Sequence, residues 1–353
     1  MLSQYTYLRK RMFKNINILS LIFLLASCSK VETIGLKTHS FNSKPKRIIW
    51  IQAAGVTEEH FALSKFTRSV VEEKTSFEKS LCMGKIWNFN LYQLRPDSKS
   101  GFLAQSFGTK NITGQCSDYE NKPMWSYFKS IGFKVSALEN GVNDKQSLLN
   151  AWKCNSTRNE IPKSMSLWKM TDTSNQSAKR FHFQEEMNFT DGEVLYDRSC
   201  RAGICYASLY NNAVEISKNL QKNSVRSLLI IRDFSIENAI VRKDVEGLRD
   251  RVNSLEKLYN YFLAEANNSN DTLVVLTGSG GRNIELPRRG KQWERFDQKG
   301  SYVLYKRNSL MSPVLADGAG AENFCGLYEE SDIFKRFLWS PEEKKVPLDL
   351  INL

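Results

Sequence analysis

Asp271-Thr-Leu-Val-Val-Leu-Thr-Gly-Ser-Gly-Gly-Arg282 sets a short apolar run, Thr272–Leu276, directly before a cluster of small residues. A continuous apolar run of this length, rich in β-branched side chains and closed by glycine, reads as a strand buried on both faces of a parallel sheet. Open α/β sheets bind ligands outside the carboxyl ends of such strands. The loop Gly278–Arg282 is therefore the first place to look for chemistry. It is not a dinucleotide loop: Asn283 stands where the third glycine belongs, and Pro287-Arg288-Arg289 does not open a helix. It is not a Walker loop either, because no Gly-Lys-Ser/Thr follows.

Strands and helices alternate on both sides of this run. Arg47–Ala53 predicts a first strand, turned by Ala54-Gly55-Val56. Thr57-Glu58-Glu59 then looks like a helix start, with threonine as cap and acids in the first turn. Lys85–Leu94 is strand-like. Pro123–Ile131 predicts a helix with proline in its first turn and Gly132 at its end, followed by a strand over Phe133–Leu138 and a helix over Asn143–Trp152. Asn155–Arg201 is crowded with Ser, Thr, Asn and Lys. It reads as an insertion or cap, stapled at its base by the flanking cysteines. Tyr206–Leu220 and Asp244–Glu265 carry helical spacing, and Arg226–Ile231 is a second buried strand ending at Arg232-Asp233. Ser301–Lys306 is a strand; Pro313 makes Ser312–Leu315 an edge strand. Gly318-Ala319-Gly320 is a turn, and Ser331–Leu338 a terminal helix.

The first 46 residues are an address. Arg9, Lys10, Arg11 and Lys14 precede the mostly apolar Ile16–Ala26, and Leu25-Ala26-Ser27-Cys28 follows. Charge, apolar stretch and small residues in that order form a secretory signal too short to span a membrane. Small residues directly before a cysteine resemble the lipobox of bacterial lipoproteins. The resemblance implies cleavage after residue 27 and lipidation (palmitate among the acyl chains) of Cys28, with Met12 as an alternative start. Ser29 after the cysteine implies outer-membrane delivery from the periplasm. Ser29–Lys46 reads as a tether reaching at most about 60 Å. Loss of residues 1–27 lowers the net charge from +12 to +8. That balance suits an anionic envelope partner, and nucleic acid is not expected at this address.

Six cysteines remain: Cys82, Cys116, Cys154, Cys200, Cys205 and Cys325. An even number in an exported chain suggests disulfides, with the pairing open apart from a possible local loop at Cys200–Cys205. Zinc is the weaker alternative, since no Cys-x-x-Cys is present. Serine-hydrolase chemistry lacks a Gly-x-Ser-x-Gly. Its candidate bases are His60, early in a helix and better read as a cap or surface residue, and His182, packed between Phe181 and Phe183. Arg282, Arg288, Arg289, Lys291 and Arg295 place five cations in 14 residues, and the first three form a candidate anion site.

The order of parts over roughly residues 46–340 resembles the alkaline phosphatase superfamily, which includes sulfatases and nucleotide pyrophosphatases. That family's first strand ends in Asp-Gly, where this chain has Ala54-Gly55. Its serine or threonine nucleophile is matched by Ser100-Gly101-Phe102 and Phe107-Gly108-Thr109, and a helix–Gly–strand unit by Trp125–Glu139. Its late Asp-His-Gly is matched by Ser279-Gly280-Gly281, and its final Gly-rich turn by Ser312–Gly320. The resemblance implies an α/β three-layer sandwich with a mostly parallel central sheet over 47–353 and an insertion at about 155–201. It also implies two metal ions held by Asp and His, but Ala54, Ser279 and Gly280 replace such ligands. Asp233 survives with no histidine at Glu237–Ala239. Alanine and glycine side chains cannot ligate a metal, and without one nothing activates the nucleophile. The expectation is an envelope lipoprotein with a non-catalytic binding or scaffold domain and no cofactor. The alternatives are a divergent hydrolase or transferase of phosphate or sulfate esters, and a purely structural lipoprotein whose cleft is filled.

Overall fold

The computed structural model describes residues 44–67, 73–300 and 303–338. Cys28, the signal and most of the tether lie outside the described residues. In chain order, β1 (Arg47–Ala54), α1 (Glu58–Phe66), β2 (Cys82–Trp87), α2 (Ser98–Phe107), α3 (Met124–Ser130) and β3 (Lys134–Asn140) come first. Two single-turn helices, α4 (Leu149–Trp152) and α5 (Ile161–Ser164), precede β4 (Ser166–Met170), β5 (Lys179–Phe181) and β6 (Val194–Asp197). A small hairpin, β7 (Cys200–Arg201) and β8 (Ile204–Cys205), leads to α6 (Leu209–Asn223) and β9 (Ser227–Asp233). The last third holds α7 (Ser235–Arg242), α8 (Val245–Asn267), β10 (Thr272–Ser279), β11 (Arg282–Glu285), α9 (Gly290–Lys299), β12 (Leu304–Asn308), β13 (Met311–Gly318), β14 (Gly326–Glu329) and α10 (Asp332–Leu338).

Ten strands make one sheet in the order β14-β2-β13-β10-β1-β9-β3-β4-β6-β5, and β13 alone runs against the rest. β1 and β10 lie side by side at its centre. Strand alternation sends Ile48, Trp50, Leu273 and Val275 into one core, with Phe102 of α2, Trp125 of α3 and Phe334 of α10. Ile49, Ile51, Val274 and Leu276 enter the other, with Ile236 of α7 and Leu255 and Tyr259 of α8. Helices on both faces of a mostly parallel sheet make the expected three-layer α/β sandwich. The helix starts are capped as their sequences demand: Asp97, Ser208 and Asp244 each accept a backbone N–H three residues on.

Four expectations need correction. Residues 155–201 do not form a cap. They supply β4, β6 and β5, which extend the central sheet at one edge, with Trp168 and Phe181 packed edge to face. The cysteines do not staple this segment's base: Cys154 pairs with Cys116, Cys200 pairs with Cys205 across the small hairpin, and Cys82 pairs with Cys325. The segment 143–152 is helical only over Leu149–Trp152; Asn143 and Ser147 side chains accept the backbone N–H groups of the preceding turn instead. Pro313 sits in an interior strand. The β10 ladder ends at Thr277↔Val314, so Pro313 has a ladder partner only on β2. Its ring fits because Gly278 has no side chain: a Cβ there would lie 3.1 Å from Pro313 Cδ and 2.8 Å from Ser312 Cβ.

Candidate functional site

The carboxyl ends of β1, β9 and β10 meet. Ala54 is in register with Ser279, Ala53 with Asp233, and Asp233 also with Asn140 of β3. Gly55 N donates to Ser279 O at 2.8 Å and Arg282 N to Gly55 O at 2.9 Å, which ties the loops after β1 and β10 together. Alternation then separates the side chains. Ser279, Ala54 and Gln52 share the face covered by α2, while Asp233 and Asn140 share the face covered by α7 and α8.

On the α2 face the crevice is closed by hydrogen bonds. Ser279 Oγ donates to Ser98 O, Ser98 Oγ donates to Ser279 O, both at 3.1 Å, and Gln52 Nε2 donates to Ser279 Oγ. Thr277 Oγ1 donates to Gln105 Oε1 at 2.8 Å and accepts from Trp50 Nε1 at 2.9 Å, while Gln105 Nε2 donates to Gly278 O at 3.0 Å. Gly280 sits at φ +55°, and a Cβ there would lie 2.6 Å from both Ser98 N and Ser98 Oγ. The serine against the strand ends is therefore Ser98, in the first turn of α2. Ser100 is half-buried, and its backbone N–H is taken by Asp97. Glu330 is wholly buried beside this knot, with Oε2 2.9 Å from where a Gly101 Cβ would stand. Neither of its oxygens meets hydrogen-bond geometry with a partner among the described residues, and burial pushes the carboxyl up to about 8 against a weaker pull from Gln105 and Lys110.

On the other face Asp233 is fully used. Oδ1 accepts from Asn140 Nδ2 (2.8 Å) and Ser235 N (3.0 Å), and Oδ2 accepts from Ser235 Oγ (2.9 Å). Burial raises its pKa against those hydrogen bonds. One turn on, Glu237 Oε1 accepts from Arg282 Nε at 2.9 Å and lies 2.9 Å from its Nη2. Gly55 makes this approach possible, since a Cβ there would come within 3.0 Å of Glu237 Cβ. Arg288 pairs with Glu285 and is 83% exposed, and Arg289 is the exposed residue that opens α9. Of the three arginines read as an anion site, only Arg282 reaches the strand ends, and there it already holds a carboxylate.

A buried ion cluster fills the next strand ends. Glu139 of β3 is in register with Arg232 of β9 and Lys169 of β4. Its Oε1 accepts from Arg232 Nη1, and its Oε2 lies 3.5 Å from Lys169 Nζ. The Arg232 guanidinium stacks 4.1 Å from the Phe102 ring centroid. Burial lowers the Arg232 pKa, with Glu139 opposing. Among the described residues, the histidines offer no base to this region. His60 Nδ1 accepts from Thr57 N at 2.9 Å as part of the α1 cap, and burial pushes it down to about 4. His182 is half-buried against Phe183.

These donors do not fit a pair of metal ions. Ala54 and Gly280 carry no ligand atom, Ser279 Oγ is engaged by Ser98 and Gln52, and Asp233 by Asn140 and Ser235. Among the described residues, the group of three or more His, Cys, Asp or Glu ligand atoms close together is Asp197, Cys200 and Cys205, and its two sulfurs are joined as a disulfide.

Among solved structures, the alkaline phosphatase from the Antarctic bacterium TAB5 is similar at a TM-score of 0.62 and 17% identity, covering 84% of this chain and 98% of that one. The cold-active alkaline phosphatase from the psychrophile Shewanella sp. gives 0.66 at 10% identity, covering 83% and 98%. The Thermus thermophilus alkaline phosphatase gives 0.62 at 12% identity, covering 87% and 94%. The fold is that of the alkaline phosphatases. No family model and no curated protein matches the sequence. The carboxyl ends of neighbouring strands carry Ala54, Asp233 and Ser279, with Asp233 on the opposite face of the sheet from the other two. Sequence reasoning missed Gln52, Ser98, Gln105, Glu139, Arg232, Glu237 and Glu330. A signal existed for some of them: a polar residue at a core-facing strand position, such as Gln52 within Ile48–Ala53, marks a buried polar contact.

Proposed function

We propose that this chain is an envelope lipoprotein anchored through Cys28, and that its alkaline-phosphatase-like domain is a non-catalytic module that binds an anionic ligand or a protein partner. One observation carries the reading: the strand-end crevice is occupied by the domain's own side chains. Ser279 is held between Gln52 and Ser98, and Glu237 is held by Arg282. Ser279 and Glu237 are thereby engaged within the domain, while Gln52 Oε1 and the Glu330 oxygens stay buried without a hydrogen-bond partner among the described residues. The anchor is supported by the lipobox-like Leu25-Ala26-Ser27-Cys28, and outer-membrane delivery by Ser29. The competing reading, a divergent hydrolase or transferase of phosphate or sulfate esters, draws on the shared fold and on Ser98 in the first turn of a ten-residue helix. Against it, Ser98 is 0% exposed and its hydroxyl donates to Ser279 O.

The test pairs metal analysis of the purified protein with turnover of generic phosphate and sulfate esters. Substoichiometric metal and no turnover above buffer are expected. Turnover that a chelator abolishes would overturn the non-catalytic reading. Cys28→Ser is expected to move the protein out of the membrane fraction; unchanged fractionation would remove the anchor.

A further inference from the structure

Beside the closed crevice lies an open cavity of about 750 Å³. One wall is the turn Ser309–Met311, and it is firmly seated. Ser309 N donates to Gly281 O at 2.6 Å, Asn88 N donates to Leu310 O at 2.8 Å, and Met311 N donates to Ser309 Oγ at 3.1 Å. Gly281 is what lets the turn approach, because a Cβ there would lie 3.0 Å from Thr57 Cγ2 and 3.2 Å from Ser309 Cβ. Across from Met311 stands Trp87, its register partner at the end of β2, 37% exposed to the cavity side of the sheet.

The lining combines aromatic, amide and charged groups, the Glu58 carboxylate among them. Trp87 and Tyr305 supply aromatic surface, and the Tyr305 hydroxyl oxygen is buried with no hydrogen-bond partner among the described residues. Asn283 and Asn308 supply amides. Arg95 supplies an exposed guanidinium with no carboxylate beside it among the described residues, whereas the cavity's other cation, Lys85, is held by Glu58 at 2.7 Å. An aromatic face takes the apolar face of a ring, an amide offers both a donor and an acceptor to neighbouring hydroxyls, and a guanidinium pairs bidentately with a carboxylate. The volume falls in the range of small-ligand sites.

We propose that this cavity binds an acidic saccharide, a one- or two-ring unit bearing a carboxylate, with Trp87 against the ring and Arg95 on the acid group. The inference deepens the binding-module reading and rests on it. Ester turnover would overturn that reading, while the saccharide measurement below stands or falls by itself.

The experiment titrates the full-length protein in detergent with digalacturonate and with a hyaluronan disaccharide, following tryptophan fluorescence and calorimetry. Neutral galactobiose serves as the comparison. Saturable binding of an acidic disaccharide is expected, at least about tenfold tighter than galactobiose, and weakened at least about tenfold by Arg95→Ala and by Trp87→Ala. Absence of binding at millimolar ligand, equal affinity for galactobiose, or binding unchanged in Arg95→Ala would each overturn the proposal. Should Trp87→Ala alter the thermal unfolding curve, Arg95→Ala decides, because that side chain is exposed and packs in no core.

Discussion

Replacing Glu330 with glutamine should stabilise the protein, and by an amount that grows with pH. The carboxyl is wholly buried and is pushed up from 4.5 to about 8, chiefly by loss of water, with Gln105 and Lys110 pulling the other way. In the unfolded chain it ionises near its ordinary value. Between those two pH values the unfolded state has released its proton while the folded state keeps it. The unfolded state then binds fewer protons, so stability falls as pH rises through this window and levels off above pH 8. At ~1.4 kcal/mol per tenfold, the penalty is about 1 kcal/mol at pH 5, about 3 kcal/mol at pH 7, and about 5 kcal/mol once the folded carboxyl also ionises. Glutamine keeps the shape and has no proton to lose. Urea unfolding of wild type and Glu330→Gln at pH 5, 7 and 9 should therefore show curves that diverge with pH at equal m-value. A stability difference that stays constant from pH 5 to pH 9 would refute the reasoning, because it would mean Glu330 ionises alike in both states.

His60 shapes the acid limb. Its folded pKa is depressed to about 4, so the stability linked to its neutral form is fully present above pH 6.5 and is lost as pH falls toward 4. About 3 kcal/mol should disappear across that window; His60→Gln should flatten this part of the pH profile, and an unchanged slope in urea titrations would count against it. Arg282→Ala should cost about 2 kcal/mol, since it leaves the buried Glu237 carboxylate without its ion-pair partner. Pairing it with Glu237→Gln should recover part of the loss, and strict additivity in the double-mutant cycle would show that the two side chains do not act together.

The architecture was legible because strand burial leaves a direct mark. Thr272–Leu276 and Arg226–Ile231 are apolar without alternation, which requires cover on both faces, and they became neighbours of β1. The helix start at Thr57 was legible through its cap, and the helix from Asp244 through its apolar spacing. Residues 155–201 were not, because β5 is three residues long and β6 four, too short to establish a period within polar surroundings. Pro313 misled because the rule against interior proline assumes a ladder on both sides, and β10 stops one residue short of it. At the crevice, the lack of a ligand atom could be read from the sequence, as at Ala54 and Gly280. The side chains that fill the crevice could not. Ser98, Gln105 and Glu330 meet Ser279 and its neighbours from a helix and a turn far away in sequence, and no local spacing records that meeting.

The side chains in the crevice also resist the building of a metal site. Placing an Asp-His pair there with Ser279→Asp and Gly280→His would supply two ligand types but not a metal site. A Cβ at position 280 would stand 2.6 Å from Ser98 N and Oγ, and φ there is +55°, a conformation histidine adopts only with strain. An aspartate at 279 would lose the hydroxyl that donates to Ser98 O and would place its charge near the unpartnered Glu330 carboxyl, with Gln52 as its nearest amide donor. Both changes push the first turn of α2 off the sheet, where Phe102 and Phe107 are wholly buried. The double variant should therefore lose stability and still hold no stoichiometric zinc by metal analysis. Recovery of zinc binding with an unchanged melting curve would mean that α2 moves freely and that the crevice is closed only loosely. The hydrogen bonds that join Ser98 and Gln105 to β10, and the aromatic side chains beneath them, argue that it does not.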